Sequence, residues 1–174
     1  MYQFAYRTAS LVLAVSTCAG ATRAGDAPDR APLDNVRILD PAGAWAVRRA
    51  RDRAFRKLAE PGCQRIFSDF RDRAGRPLQQ ALADSGQTGR EYLASLLFYD
   101  GSAHPRCHQK HIFAVTQPGE LVILVCVANF AEIALQELRL ATAILIHEEL
   151  HALGLGENPP SSAEITDRVL GRCY

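Results

Sequence analysis

Three residues towards the C-terminal end of the sequence, His147, Glu148 and His151, have the types and spacing that metal-assisted hydrolysis requires. Side chains four residues apart lie on one face of a helix, so the two imidazoles can bind one metal ion. Glu148 is offset by one residue, which places its carboxylate near a water on the metal instead of on the metal itself. The pattern therefore predicts a metal centre on a helix, with Glu148 as general base.

A catalytic zinc ion usually takes three protein ligands and keeps one position for water. Gly154 can adopt a positive φ and turn the chain back after the helix, and Glu157 follows three residues later. Glu164 is the alternative third ligand, in the first turn of a following helix that Ser161 and Ser162 can cap. A carboxylate oxygen is an acceptable zinc ligand, so both glutamates stay open.

The residues from His147 to Glu157 read H-E-x-x-H-x-x-G-x-x-E. The run resembles the metzincin zinc-peptidase signature H-E-x-x-H-x-x-G-x-x-H, including the Leu-Gly-Leu sequence around the turn. The sequence departs from that family twice. Glu157 stands at the position of the third histidine, and the Met-turn is absent because Met1 is the only methionine. Completion of the site by Glu164 would instead be similar to the gluzincin branch of the zincins.

The resemblance implies a small zincin-like domain of the α+β class, with a mixed or antiparallel sheet and a long buried helix that carries the motif. It implies one catalytic Zn²⁺, a peptide or protein substrate, and a proton transfer from water through Glu148 to the leaving amine. Zincins often stabilise the oxyanion with a Tyr or His outside the motif, for which Tyr99, His108 and Tyr174 are candidates. Hydrolysis of a cell-wall amide would use the same ligands and base.

A non-catalytic, metal-stabilised binding protein of the cell envelope is an alternative from a different functional class. A helix with two incidental histidines is a further alternative. Residues 140–153 are apolar nearly all round, which predicts a buried helix. Burial of His147, Glu148 and His151 without partners would be costly, and a metal ion would supply the partner. Glu149 is left over, and we expect it to face solvent or to support the ligands.

The first 24 residues predict a secretory signal peptide, because a short apolar run over residues 9–15 follows Arg7 and small residues come next. The run is too short to span a bilayer. Residues 15–18 also resemble a bacterial lipoprotein box ending at Cys18. We therefore expect a periplasmic or extracellular protein without a transmembrane segment in the mature chain, with lipid anchoring at Cys18 as the less favoured outcome.

The charge balance indicates no general attraction to nucleic acid or to anionic membranes. The chain has 20 Lys and Arg residues against 19 Asp and Glu residues, and removal of residues 1–24 takes away Arg7 and Arg23 and no acid. The remaining chain carries about one net negative charge. Neither the oligomeric state nor the identity of a peptide substrate follows from these numbers.

Cys63, Cys107, Cys126 and Cys173 remain after the predicted cleavage. Four cysteines in an exported protein predict two disulfides, for which there are three connectivities. We favour Cys107–Cys126, which would clip a hairpin, and Cys63–Cys173, which would tie the last residues to the domain.

Residues 25–40 are expected to form an extended lead-in to a domain over residues 41–174. In that domain the patterns predict a helix over residues 42–59, a short strand over 64–70 and a helix over 77–83. A helix capped by Thr88 and Glu91 follows, and residues 99–110 are expected to form a loop. That loop and the next position hold His104, His108 and His111, which are interpreted as exposed loop histidines and not as a second metal site.

The clearest strand pattern is a hairpin of residues 111–117 and 121–127 around Pro118-Gly119. An extended substrate can add as a strand to an exposed sheet edge, so a hairpin before the metal helix suits a peptidase. One long helix over residues 131–153 and a last helix over residues 162–170 complete the prediction.

Overall fold

The computed structural model describes residues 34–174. The predicted signal peptide, Cys18 and most of the predicted lead-in lie outside the described residues. The elements are, in chain order, β1 (Val36–Arg37), α1 (Pro41–Leu58), α2 (Pro61–Gln64), α3 (Ile66–Asp69), α4 (Leu78–Ser85), α5 (Gly89–Ser95), β2 (Leu97–Asp100), a 3₁₀ helix (Pro105–His108), β3 (Ala114–Thr116), β4 (Val122–Val125), α6 (Val127–Gln136), α7 (Leu138–Ala152) and α8 (Ser162–Cys173).

A four-stranded mixed sheet with the order β1-β2-β4-β3 is surrounded by helices, so the predicted α+β class is confirmed. Strand β2 runs parallel to both β1 and β4. The predicted hairpin is present as the antiparallel pair β3 and β4, with Val115 opposite Leu124. Strand β3 is the edge strand next to the hairpin turn. Within residues 34–174, the helices are too short or too polar to cross a bilayer.

The short strand predicted over residues 64–70 is wrong, because the segment forms the helices α2 and α3. Its neighbours Ile66 and Phe67 are both buried. Adjacent residues of a strand point to opposite faces, whereas a single helical turn can bury both side chains on one face. The tertiary packing of this turn overrides the alternation read from the sequence.

Strand β2 was missed, since its residues were assigned to the end of a helix and to a loop. Phe98 is fully buried and Tyr99 is exposed, which is the alternation of a strand. The Phe98 amide donates to the carbonyl of Asn35 at 3.0 Å. The Asn35 side chain donates to the carbonyls of Ala94 and Leu96. Strand β1 therefore begins inside the predicted lead-in and is anchored to β2.

The single helix predicted over residues 131–153 is also wrong, because α6 and α7 are separate helices. Glu137 lies between them with φ −144° and ψ 78°, outside the helical region. Helices α6 and α7 both pack against α1, and the change of direction at Glu137 allows each to do so. Helix α8 extends to Cys173, past the end expected at Gly171.

The structure confirms both predicted disulfides. Cys63–Cys173 joins α2 to the last turn of α8, and Cys107–Cys126 joins the 3₁₀ helix to the residue after β4. The paired cysteines agree with an exported protein, since disulfides persist in oxidising compartments.

Candidate metal centre

Helix α7 runs through the core and carries His147, Glu148 and His151. Apolar residues surround these polar side chains, and all positions from Ala141 to Ala152 are buried. His147 and His151 are each 4% exposed and Glu148 is 6% exposed. Leaving three such groups unpaired in the interior would cost several kcal/mol, roughly 1–3 for each group. The arrangement therefore depends on partners for these atoms.

The side chains of His147, His151 and Glu157 converge. The two Nε2 atoms lie 3.0 Å apart, and Glu157 Oε1 lies 3.8 Å from His147 Nε2 and 3.4 Å from His151 Nε2. Tetrahedral zinc with ligand distances of about 2.0–2.1 Å separates its ligand atoms by roughly 3.3 Å. The three donor atoms match that spacing and could hold a metal ion. They are the one such His, Cys, Asp or Glu group in the described part of the chain.

The Nδ1 atom of each histidine, which is not one of the converging ligand atoms, already has a hydrogen-bond partner in the protein. His151 Nδ1 lies 2.8 Å from the Leu155 carbonyl, and His147 Nδ1 lies 2.9 Å from Thr166 Oγ1. A carbonyl oxygen only accepts, so His151 donates from Nδ1, and whenever the ring is neutral the lone pair lies on Nε2. Such bonds orient metal-binding imidazoles. The tautomer of His151 is therefore the one that a metal ligand needs.

The turn after α7 brings Glu157 back to the histidines. Gly154 has φ 106°, a conformation that favours glycine, and its amide donates to the His151 carbonyl at 2.8 Å. A Cβ atom at this position would lie 3.2 Å from Asp72 Cβ. The predicted reversal at Gly154 is present, and the loop that contains Asp72 packs directly against it.

The carboxyl of Glu157 is held in its ionised form. The His147 ring makes the largest contribution, followed by the charges of His151 and Arg106, and together they lower the pKa of Glu157 to about 2 although burial opposes the shift. An ionised carboxylate is the form that binds a metal.

Glu164 is not brought to this group. It lies in the first turn of α8, where its Oε2 accepts hydrogen bonds from the amide of Ser161 at 2.8 Å and from its hydroxyl at 2.7 Å. Those bonds lower the pKa of Glu164. The expected cap by Ser161 is present, and the carboxylate of Glu164 is used there.

Glu148 faces a cavity of about 660 Å³ beside the group. Its buried Oε2 has no hydrogen-bond partner in the protein. Edge strand β3 and the first turns of α8 form other walls of the cavity. The structure therefore places the side chain of Glu148, three convergent ligand atoms and a strand edge around one space.

Glu149 faces neither solvent nor the cavity, so the expectation that it contacts solvent is wrong. It is 0% exposed, and neither carboxylate oxygen has a hydrogen-bond partner. Burial raises the pKa of Glu149 well above its ordinary value. A Cβ atom at Gly89 would lie 3.5 Å from Glu149 Oε1, which places this side chain against α5.

Tyr99, His108 and Tyr174, the expected candidates for an oxyanion donor, do not line the cavity. Its polar lining instead includes Arg73, His104, Arg106, His111 and Thr166. Sequence reasoning interpreted His104 and His111 as loop residues and missed the two arginines. The predicted disulfide from Cys107 to Cys126 indicated that the loop of His104 and Arg106 lies beside the hairpin, and nothing comparable indicated the position of Arg73.

No protein-family model, curated protein or solved structure matches this chain.

Proposed function

We propose that the protein is a zinc-dependent peptidase with a zincin-like site, exported to the periplasm or the extracellular space. The observation that supports this most strongly is the convergence of His147, His151 and Glu157 beside the unpaired carboxylate of Glu148. A group that served only to stabilise the fold would not need an open cavity or a second carboxylate next to it.

Two imidazoles and one carboxylate are a ligand set typical of catalytic zinc, with a fourth position left for water. When bound, zinc would lower the pKa of that water and polarise the substrate carbonyl. Thr166 and the Leu155 carbonyl would hold the two rings in position from behind, as they do in the structure.

Glu148 acts as the general base in this proposal. Glu148 lines the cavity, and its carboxylate can accept a proton from a water beside the three ligand atoms. The same carboxylic acid then donates the proton to the leaving amine. Glu149 is excluded from this role because it is buried on the other side of α7 and does not line the cavity.

Strand β3 offers the substrate a place to bind. Ala114, Val115 and Thr116 form the edge of the sheet and line the cavity that also contains His147 and Glu148. An extended peptide that pairs with this edge would gain main-chain hydrogen bonds and would pass its carbonyls over the ligand atoms.

Metal content and hydrolysis test the proposal together. We expect one zinc per chain in the wild type, loss of zinc in His151→Ala and Glu157→Ala, and retention in Glu164→Ala as the control. Glu148→Gln should keep zinc and lose hydrolysis of a casein or peptide-mixture substrate.

A folded wild-type protein that contains no zinc would contradict the metal site. Zinc-loaded Glu148→Gln with the wild-type cleavage rate would contradict the role of Glu148. A protein that binds zinc and cleaves no peptide would favour the non-catalytic binding protein of the cell envelope. Cleavage restricted to cell-wall amides would favour the alternative hydrolase of a cell-wall amide bond.

A further inference from the structure

The cavity has a basic wall that hydrolysis itself does not require. Arg73 and Arg106 both line it, together with Glu157. Within the described part of the chain, neither guanidinium makes a hydrogen bond or an ion pair. Both side chains are exposed, so water solvates them in the free protein, and a carboxylate on a molecule bound in the cavity can replace that water with bidentate hydrogen bonds.

Arg106 stands in the 3₁₀ helix from Pro105 to His108, which is held in place from two sides. The disulfide of Cys107 ties it to the start of α6. The Asn129 side chain donates to the carbonyls of Gln109 at 2.9 Å and Ile112 at 2.8 Å. Arg106 lines the same cavity as His147 and Glu157.

Arg73 reaches the same place from the loop between α3 and α4. Its Nε would lie 3.6 Å from a Cβ atom added at Gly156, the residue before Glu157. This is an ordinary van der Waals distance, so the Arg73 side chain runs alongside the turn at Gly156.

His104 adds a third donor. Its Nδ1 accepts the Arg106 amide hydrogen at 3.3 Å. The neutral ring then carries its proton on Nε2, where it can donate. His104 also lines the cavity, so the basic wall consists of Arg73, Arg106 and His104 and offers donors only.

We propose that the basic wall binds a carboxylate of the substrate, so that the enzyme selects peptides with Asp or Glu next to the scissile bond. This inference rests on the proposed peptidase function. A planar guanidinium binds a carboxylate with two parallel hydrogen bonds, which an amide side chain cannot fully replace.

The acidic residues of the cavity do not cancel this preference. Glu148, Glu157 and Asp167 also line it. Two arginines and a divalent ion outweigh these three carboxylates by one charge. Glu157 is committed to the ion, so the arginines keep their donors for the substrate.

The test compares quenched fluorescent peptides that are identical except for Asp or Glu against Asn or Gln at the positions flanking the scissile bond. We expect the zinc-loaded mature chain to show kcat/KM values about tenfold or more higher for the acidic peptides. Arg106→Gln and Arg73→Gln should each lower that ratio, and the double variant should abolish it. Arg56→Gln, an exposed arginine of α1 that does not line the cavity, is the matched control.

Binding gives a readout that does not need turnover. Fluorescence anisotropy of the same labelled peptides with zinc-loaded Glu148→Gln should show tighter binding of the acidic member, and Arg106→Gln in that background should remove the difference. Cleavage of acidic and amide peptides at equal rates, or a preference unchanged in the double arginine variant, would overturn the inference and leave the peptidase function intact. Arginine-dependent binding of acidic peptides without any cleavage would support the basic wall and contradict the peptidase function.

Discussion

The backbone amide of Arg73 donates a hydrogen bond to the carbonyl of Gly154 at 3.2 Å, so a surface loop holds the turn that returns Glu157 to the two histidines. The loop is folded around the carboxylate of Asp72, which accepts from the amides of Ala74 at 2.8 Å and Arg76 at 2.9 Å. Asp72 is not one of the three residues that converge, but its loop contacts the turn that carries Glu157.

Replacement of Asp72 should therefore weaken metal binding. We expect Asp72→Ala to raise the zinc dissociation constant about tenfold, in the range known for residues that orient metal ligands. Competition with a chromogenic chelator measures it. Asp84→Ala is the control, because Asp84 also approaches Arg76, at 3.8 Å, but its side chain accepts from Gln80 and not from the loop backbone. Equal effects of the two substitutions would show that Asp72 acts only through the surface charge.

Thr166 should set the orientation of His147. Thr166→Val keeps the size of the side chain and removes the oxygen that lies 2.9 Å from His147 Nδ1. We expect about a tenfold loss of zinc affinity in this variant and near wild-type affinity in Thr166→Ser, measured by the same competition. If the valine and serine variants bound zinc equally well, the hydroxyl would have no role in holding the ring.

Glu149 should lower the stability of the fold. Both of its carboxylate oxygens are buried without hydrogen-bond partners. An unbranched apolar side chain of similar length avoids that cost, so Glu149→Met should raise the free energy of unfolding at neutral pH by about 1–3 kcal/mol. Urea denaturation measures the change. Glu132→Met, at an exposed position of α6, should leave stability within about 0.5 kcal/mol. A destabilised Glu149→Met protein with a normal zinc content would contradict this account.

Asp69 and Arg172 should make stability depend on pH on the acid side. Arg172 donates to both carboxylate oxygens at 2.7 Å, and this contact lowers the pKa of Asp69. A carboxyl with a folded-state pKa below its unfolded value stabilises the protein above the ordinary range near pH 4, and the stabilisation is lost as pH falls through the lower folded value.

Asp69→Asn should therefore be less stable than the wild type at pH 7 by about 1 kcal/mol, a modest figure because the Arg172 side chain is 34% exposed and water screens the pair. The difference should shrink below pH 3. Urea midpoints measured from pH 7 to pH 2.5 test this, with both disulfides kept oxidised. A difference that stayed constant over this range would rule out the ion pair as its cause.

Local sequence patterns correctly predicted several features that depend on residues close together in the sequence. The four-residue spacing predicted that His147 and His151 lie on one face of a helix. The glycine with an acidic residue three positions later predicted that Glu157 returns to them. The capping box at Thr88 was also predicted correctly. Both disulfide pairings were correct as well, although Cys63 and Cys173 lie 110 residues apart, because four cysteines allow only three pairings. The proposed zinc ion, the catalytic role of Glu148 and the export of the chain stay predictions.

The tertiary structure decided what depends on contacts distant in the sequence. Spacing left Glu157 and Glu164 open, and the structure brings Glu157 to the two histidines through the Gly154 turn that packs against Asp72, while Glu164 caps α8. The break at Glu137 and the strand β2 arise because packing against α1 and pairing with β4 outweigh the local periodicity. The basic wall could not be read from the sequence, because Arg73 and Arg106 reach one cavity from two loops that meet only when the chain is folded.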